Sequence, residues 1–154
     1  MMRKILVIGA GKSTSYLLDY LLGKAEIEKL KITIGDIHPE AIPESITNHK
    51  HCSVIHLDIF KETEREHAIA DADIVISMLP ARFHIKVAGS CVKLKKHLVT
   101  ASYVSPELQS LDEEVKNNGL VFMNEIGLDP GVDHMSAMQV IDRIRDKGGK
   151  ILLF

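Results

Sequence analysis

Two glycines near the start of the chain are the first residues whose type and spacing could do chemistry. Gly9 and Gly11 follow an apolar run over residues 5–8, and a segment with helical spacing begins soon after them. In this order of strand, turn and helix, Gly9 permits a tight turn and Gly11 lets the backbone approach a pyrophosphate. The free N–H groups at the start of the helix attract that anion. The pattern predicts a dinucleotide-binding turn.

The same turn leaves two other interpretations open. Thr14 stands where the usual fingerprint has its third glycine, so a strand–turn–helix without a ligand stays an alternative. Gly11, Lys12 and Ser13 also resemble the end of a loop that binds nucleoside triphosphates, but that motif needs a glycine at position 6, where the chain has Leu6. A nucleoside triphosphatase is therefore disfavoured.

A carboxylate is expected beside the ribose of the same ligand. Asp36 follows the second apolar run and lies 25 residues beyond Gly11, near the spacing of about 20 that the ribose-binding acid has in such folds. Its carboxylate would accept hydrogen bonds from the 2′- and 3′-hydroxyls and repel a 2′-phosphate, and Ile37 follows instead of an arginine. This favours NAD over NADP. Alternatively, Asp36 is a surface residue that opens a turn before Pro39.

Asp58 and Ile59 follow the third apolar run and are placed to flank an adenine ring. The other interpretation makes Asp58 the N-cap of a helix over residues 61–70.

Polar residues follow the later apolar runs as well. Residues 77–80 end the fourth run, residues 100–103 end the fifth, and residues 124–131 follow the sixth. Since parallel strands end at one edge of a sheet, these segments would form the mouth of a pocket. The alternative is structural, because Asp129-Pro130-Gly131 is a good turn sequence and Asp133 can cap a last helix.

The elements that must position these residues alternate along the chain. Six short apolar runs indicate strands, and the segments between them carry helical stripes, including Met135, Met138, Ile141 and Ile144 as the inner face of the last helix. This order predicts an α/β fold, a doubly wound, Rossmann-like parallel sheet of about six strands with helices on both faces. The predicted strands cover residues 4–8, 31–34, 53–57, 73–78, 97–100 and 120–123.

Composition excludes several classes of protein. The 154 residues are 45% hydrophobic and 26% charged, with a net charge of −2, which excludes disorder and gives no drive toward nucleic acid or anionic membranes. Aromatic residues make up 5% and tryptophan is absent. No apolar stretch approaches the roughly 18 residues of a membrane helix. Two cysteines, Cys52 and Cys91, suit reduced thiols, and we expect a cytoplasmic protein.

A metal site is not expected. His49, His51 and Cys52 crowd together, but their spacing matches no standard zinc motif. His84 and His97 flank predicted elements, which is typical of structural histidines.

The end of the chain predicts a domain boundary. Residues 147–150 form a turn, and Ile151–Phe154 are a fresh apolar strand. We expect a dinucleotide-binding domain over residues 1–146 and, at residues 147–154, the start of a second, substrate domain.

One stretch of residues indicates a protein family far more specifically than the two glycines do. Residues 123–134, which read Met-Asn-Glu-Ile-Gly-Leu-Asp-Pro-Gly-Val-Asp-His, resemble the saccharopine dehydrogenase (L-glutamate-forming) family. Residues 73–80, Phe83-His84 and residues 96–106 are also similar to it, and the Gly-Gly-Lys-Ile tail resembles the entry to that family's substrate domain.

The resemblance implies a role for each matching residue. The dinucleotide would be held by Gly9, Gly11 and the backbone of Lys12, Ser13 and Thr14, with Met78 and Leu79 near the ribose and nicotinamide. Ser102, Tyr103 and Asp129 would bind an amino-acid substrate, and Leu128 to Pro130 would also line the nicotinamide. The family's fungal members carry a basic residue after the second strand, where this chain has Asp36-Ile37. NAD is therefore the expected cofactor and NADP the alternative.

The implied activity is that of an NAD(P)-dependent dehydrogenase acting on the CH–NH group of saccharopine in lysine metabolism. The fragment alone is expected to be inactive, since catalytic groups would come from the second domain, and the full-length protein could form a homodimer. Two alternatives remain: a dehydrogenase of a related imine-derived compound such as carboxynorspermidine, and a non-catalytic dinucleotide-sensing domain.

Overall fold

Six parallel strands form one sheet in a computed structural model that describes residues 2–152. The strand order is β3-β2-β1-β4-β5-β6. The strands are β1 (Arg3–Ile8), β2 (Leu30–Asp36), β3 (Cys52–His56), β4 (Ile74–Ser77), β5 (His97–Thr100) and β6 (Phe122–Met123). The helices are α1 (Ser15–Lys24), α2 (Glu44–Thr47), α3 (Glu62–Ala70), α4 (His84–Lys93), α5 (Pro106–Gln109), α6 (Asp112–Asn117) and α7 (Val132–Asp146).

Each face of the sheet carries its own apolar core, as the two-sided apolar runs predict. In β1, Leu6 and Ile8 pack on the face that α3 and α4 cover, while Val7 packs on the face under α1 and α2. All three side chains are at most 1% exposed. The doubly wound α/β prediction is confirmed.

The order of strands reverses beside β1. Ile8 at the end of β1 pairs with Gly35 of β2 on one side and with Ser77 of β4 on the other. From β1, the chain proceeds outward through β2 and β3, and then returns to add β4, β5 and β6. The crevice at this reversal, beyond the carboxyl ends of the strands, is where such sheets bind ligands.

Prolines shape two of the weaker helical segments. Between β2 and β3, a 3₁₀ turn over Pro39–Ala41 is followed by the short helix α2, because Pro43 disfavours a helical conformation at the residue before it. The apolar residues Leu108, Leu111 and Val115 have helical spacing but span two short helices, with Pro106 opening α5.

The last helix differs from its prediction. No residue of α7 is buried, and Met135 and Met138 are 63% and 46% exposed. The expected inner face is therefore largely uncovered within the described residues, with only Ile141 partly buried. Asp133 is not the cap either, since Gly131 is the N-cap and Asp133 lies in the first turn.

The predicted strand over Ile151–Phe154 lies partly outside the described residues, and Ile151 and Leu152 are not in a strand. Within residues 2–152, no helix has the length and apolar content needed to cross a bilayer.

Candidate functional site

The glycine turn after β1 depends on Gly9. This residue has φ of +95°, and an added Cβ would lie 3.2 Å from the backbone carbonyl of Met78. Its N–H donates to the Gly35 carbonyl at 2.9 Å. Both the conformation and the close approach therefore require glycine here.

Thr14 closes this turn instead of blocking it. The side chain is 1% exposed, and its hydroxyl donates to the Gly9 carbonyl at 3.1 Å. The missing third glycine is thus replaced by a side chain that folds back and fastens the turn.

The outer part of the turn is open to a ligand. A Cβ added to Gly11 would meet no atom within 4 Å. Gly11, Lys12 and Ser13 are exposed, and within residues 2–152 their N–H groups donate to no backbone carbonyl. Unpaired amides at the start of a helix form a binding site for phosphate, so this turn fits a diphosphate.

Asp36 is directed at the turn from the end of β2. One carboxylate oxygen accepts a hydrogen bond from the Ala10 N–H at 2.6 Å, and the other accepts from the His38 N–H at 2.8 Å. The bond from His38 corresponds to the predicted role of Asp36 in opening a turn, whereas the bond from Ala10 connects the end of β2 to the glycine turn. Each oxygen has a further lone pair, so the carboxylate can also accept from a ribose hydroxyl.

A crevice of about 150 Å³ opens beside Asp36, and most of its wall is apolar. This volume is below the roughly 300–1,000 Å³ of complete ligand pockets, and it suits one flat ring. The residues predicted for the ribose and the adenine line it, and so do Gly9 and Leu79, which are predicted for other parts of the dinucleotide; the lining includes Gly9, Asp36, Ile37, Asp58, Ile59 and Leu79, together with Phe60 and Phe83.

Met78 and Asp58 have further contacts that the sequence did not predict. Met78 packs with the core under α1, although its N–H bonds to the Ile8 carbonyl at 2.8 Å beside the turn. Asp58 does not cap α3, whose N-cap is Lys61, because its carboxylate accepts from the Phe60 N–H at 2.9 Å.

The predicted substrate residues Tyr103 and Asp129 meet at the ends of β5 and β6. The Tyr103 hydroxyl donates to Asp129 at 2.7 Å. This hydrogen bond, partial desolvation and the Asp129 charge raise the pKa of Tyr103 to about 12, so the hydroxyl stays protonated. The pair offers a fixed carboxylate to a cationic group.

The loop after β6 holds Asp129 in place. Gly131 has φ of +146°, and a Cβ there would clash with the Gly127 carbonyl oxygen, so this position of the loop requires glycine. Leu128 is 78% exposed, which leaves it free to contact a ligand, while Pro130 is buried in the loop.

A buried histidine joins the ends of β4 and β5. His84 is 1% exposed, and its ring nitrogens lie 2.8 Å from the hydroxyls of Ser77 and Ser102. Its burial fits the structural role predicted for it, but the hydrogen bond to Ser102 also makes it a neighbour of the residues predicted to bind substrate. The sequence signal was a serine at each of two adjacent strand ends.

The remaining polar clusters lie elsewhere. The rings of His49 and His51 are 5.8 Å apart, and among the described residues no group of three or more metal-ligating side chains occurs. Burial raises the pKa of the Cys91 thiol to about 12, which makes it unreactive.

Comparisons with known proteins agree on one family. The family model described as the saccharopine dehydrogenase NADP binding domain matches residues 5–123. The chain is 37% identical over 152 residues to a saccharopine dehydrogenase [NADP(+), L-glutamate-forming] of Pyricularia oryzae, covering 99% of this chain and 33% of that protein. It is 37% identical over 150 residues to a mitochondrial alpha-aminoadipic semialdehyde synthase of Bos taurus, covering 97% and 16%.

A solved structure shows the same fold. The apo saccharopine dehydrogenase (L-Glu forming) of Saccharomyces cerevisiae superposes with a TM-score of 0.84 and 32% identity, over 97% of this chain and 33% of that one. The chain thus spans about a third of the length of its fungal relatives.

Proposed function

Because this chain belongs to the saccharopine dehydrogenase family, we propose that it is the dinucleotide-binding part of an oxidoreductase acting on the CH–NH group of saccharopine. The observation that carries the proposal is the open turn at Gly11 with Asp36 directed at it, on the same sheet edge as the Tyr103–Asp129 pair. Residues 1–146 form this domain, and residues 147–154 begin a substrate domain. The greater length of the relatives supports that division.

Different residues at the sheet edge bind different parts of the dinucleotide. The N–H groups of residues 11–13 hold the diphosphate, Asp36 accepts from the adenosine ribose, and the crevice takes the adenine. Leu79 and Leu128 line the path toward the nicotinamide. When bound, the nicotinamide supplies the hydride acceptor.

Asp129 orients the substrate. Its carboxylate, held by the Tyr103 hydroxyl at 2.7 Å, attracts the substrate ammonium. Loss of hydride from the carbon of the neutral secondary amine gives a protonated imine, which water cleaves to an aldehyde and the ammonium form of glutamate. The amine must be neutral before the hydride leaves, so its proton goes to a base or to solvent. Asp129 serves as an orienting group rather than as that base.

The comparisons favour NADP, because the matched family and the fungal relatives carry that name, and NADP replaces NAD as our first candidate. Arg82 also supports NADP, since its guanidinium lies 4.7 Å from the centre of the Phe83 ring, which lines the crevice. Asp36 keeps NAD as the alternative, because its carboxylate would repel a 2′-phosphate.

Calorimetric titration of the chain with NADP and with NAD tests the binding function. We expect Gly11→Val to weaken binding at least about tenfold, since the added side chain fills the space of the diphosphate. Gly23→Val is the matched control, because Gly23 also has no atom within 4 Å of an added Cβ but lies in α1 away from the turn. Absence of heat with both dinucleotides at millimolar concentration would contradict the proposal.

The same titration on Asp36→Ser measures cofactor selectivity. We expect the ratio of the two dissociation constants to move further toward NADP, while the loss of the bonds to Ala10 and His38 affects both ligands alike. An unchanged ratio would show that Asp36 does not face the 2′ position.

The substrate is tested with the full-length protein. Formation of reduced dinucleotide from saccharopine, compared with carboxynorspermidine, separates the proposed activity from its closest alternative. The cytoplasmic location and the homodimer stay predictions, and the bovine relative is named as mitochondrial.

A further inference from the structure

We infer that Ser77, His84 and Ser102 form a hydrogen-bond chain with one direction, which leaves the Ser102 hydroxyl free to donate to a carboxylate of the substrate. His84 is then a positioning residue that sets the polarity of the site without touching the ligand. The substrate part of this inference rests on the proposed function, whereas the direction of the chain does not.

The three residues come from separate elements at the reversal of strand order. Ser77 ends β4, Ser102 follows β5 by two positions, and His84 is the first residue of α4. Nδ1 of His84 lies 2.8 Å from the Ser77 hydroxyl, and Nε2 lies 2.8 Å from the Ser102 hydroxyl. Both ring nitrogens are therefore fully used.

The imidazole of His84 is neutral. The residue is 1% exposed, and burial lowers its pKa below the ordinary value. It also stands in the first turn of α4, where the positive end of the helix dipole disfavours a second positive charge. A neutral ring has one nitrogen that donates and one that accepts.

Ser77 decides which nitrogen carries the proton. It is 0% exposed, and among the described residues its hydroxyl has no hydrogen-bond partner other than His84. If Nδ1 carried the proton, the Ser77 O–H would be a buried donor without an acceptor, which costs far more than an unused lone pair. The Ser77 hydroxyl therefore donates to Nδ1, and the ring proton is on Nε2.

The position of the ring proton determines how Ser102 is bonded. The Nε2–H group donates to the Ser102 oxygen, so the serine proton is directed elsewhere. Ser102 is half-buried, and within residues 2–152 its hydroxyl has no other partner. Next to it, the Tyr103 hydroxyl is already committed to Asp129. The site thus presents one free donor at Ser102 and one carboxylate at Asp129, which match the carboxylate and the ammonium of an amino acid.

Nitrogen-15 NMR of the imidazole rings in the 154-residue chain tests the direction without any ligand. The His84 signals are assigned by their loss in His84→Gln. We expect a neutral ring with its proton on Nε2 at neutral pH, and a shift toward the Nδ1–H form in Ser77→Ala. A proton on Nδ1, or a charged ring, would overturn the inference.

Kinetics of the full-length protein test the consequence for the substrate. Glutamine has an amide oxygen and an amide N–H that can replace the two ring nitrogens, so His84→Gln should keep the KM for saccharopine within about twofold. His84→Leu should raise that KM at least about tenfold, with the Kd of the dinucleotide unchanged.

The outcomes separate the two proposals. If the KM for saccharopine rose equally in His84→Gln and His84→Leu, or if dinucleotide binding weakened in parallel, the role of His84 would be purely structural. If the NMR result holds and saccharopine is not turned over, the proposed substrate fails and the direction of the chain stands. If Ser77→Ala does not fold, the wild-type NMR spectrum still decides the direction, and if His84→Gln does not fold, the loss of signals in His84→Leu assigns that spectrum.

Discussion

At the scale of single residues, the candidate site is held by side chains that bond to the backbone. Thr14 fastens the glycine turn through the Gly9 carbonyl, and Asp36 ties the same turn to the end of β2 through the Ala10 N–H. Tyr103 and Asp129 form a second fixed pair across two loops. The positions offered to a ligand are thus set before it binds, which reduces the ordering cost of binding.

Thr14→Val tests the fastening of the turn. The valine keeps the shape of the side chain but leaves the buried Gly9 carbonyl without its donor, so we expect a loss of about 1–3 kcal/mol in the free energy of unfolding. Ser15→Ala is the matched control, because the Ser15 hydroxyl also bonds to a backbone carbonyl but is exposed. Urea denaturation of the two variants measures both values, and equal effects would contradict the role of Thr14.

Tyr103 gives a prediction about pH. Its pKa is raised because the neutral hydroxyl donates to Asp129, so this bond stabilises the fold fully below pH of about 10 and is lost as the pH rises toward the folded-state value. In a Tyr16→Phe/Tyr20→Phe background, Tyr103 is the sole tyrosine. Its absorbance should titrate with a midpoint of about 12, and Asp129→Asn should lower that midpoint toward about 10. An unchanged midpoint would place the pair apart in solution.

At the scale of elements, the central strands and α7 are opposite cases. Leu98 in β5 is 0% exposed, whereas Met138 in α7 is 46% exposed, although both lie in clearly apolar patterns. The pattern of α7 indicates a face suited to burial, but within the described residues none of its side chains is fully buried.

This contrast predicts different costs for two truncations. Leu98→Ala should lower the free energy of unfolding by about 2–5 kcal/mol, because it leaves a cavity in the core. Met138→Ala should change it by less than about 0.5 kcal/mol. Hydrogen exchange should likewise be faster in α7 than in α4, which buries six residues. Slow exchange throughout α7 would show that its apolar face is covered in solution.

At the scale of the whole molecule, the reversal of strand order brings the separate parts together. The glycine turn, Asp36, the crevice and the Tyr103–Asp129 pair lie beyond the carboxyl ends of all six strands. A ligand that spans this edge adds contacts between elements that the sheet and a few side-chain hydrogen bonds already join.

Dinucleotide binding should therefore stabilise the whole chain. At a ligand concentration of 100 times Kd, linkage predicts an increase of about 2.7 kcal/mol in the free energy of unfolding. Thermal unfolding with NADP should show a higher Tm for the wild type and for Gly23→Val, and a smaller rise for Gly11→Val, because a tenfold weaker Kd removes about 1.3 kcal/mol of this stabilisation. A rise in Gly11→Val equal to that of the wild type would indicate binding elsewhere.

The sequence by itself determined the six strands, the glycine turn and the position of Asp36, because each depends on residues close together in the chain. Alternating apolar runs set the sheet, and the spacing from Gly11 to Asp36 follows from one strand–helix–strand unit. The run over residues 123–134 also indicated the family before any fold was known.

Only the tertiary structure decided how His84 and α7 are used. His84 is a structural histidine by sequence, and its contact with Ser102 exists because β4 and β5 end side by side and α4 starts between them. The apolar stripe of α7 predicted burial, but burial requires a facing surface. A local pattern records what a segment can bury, whereas the packing of distant segments determines what it meets.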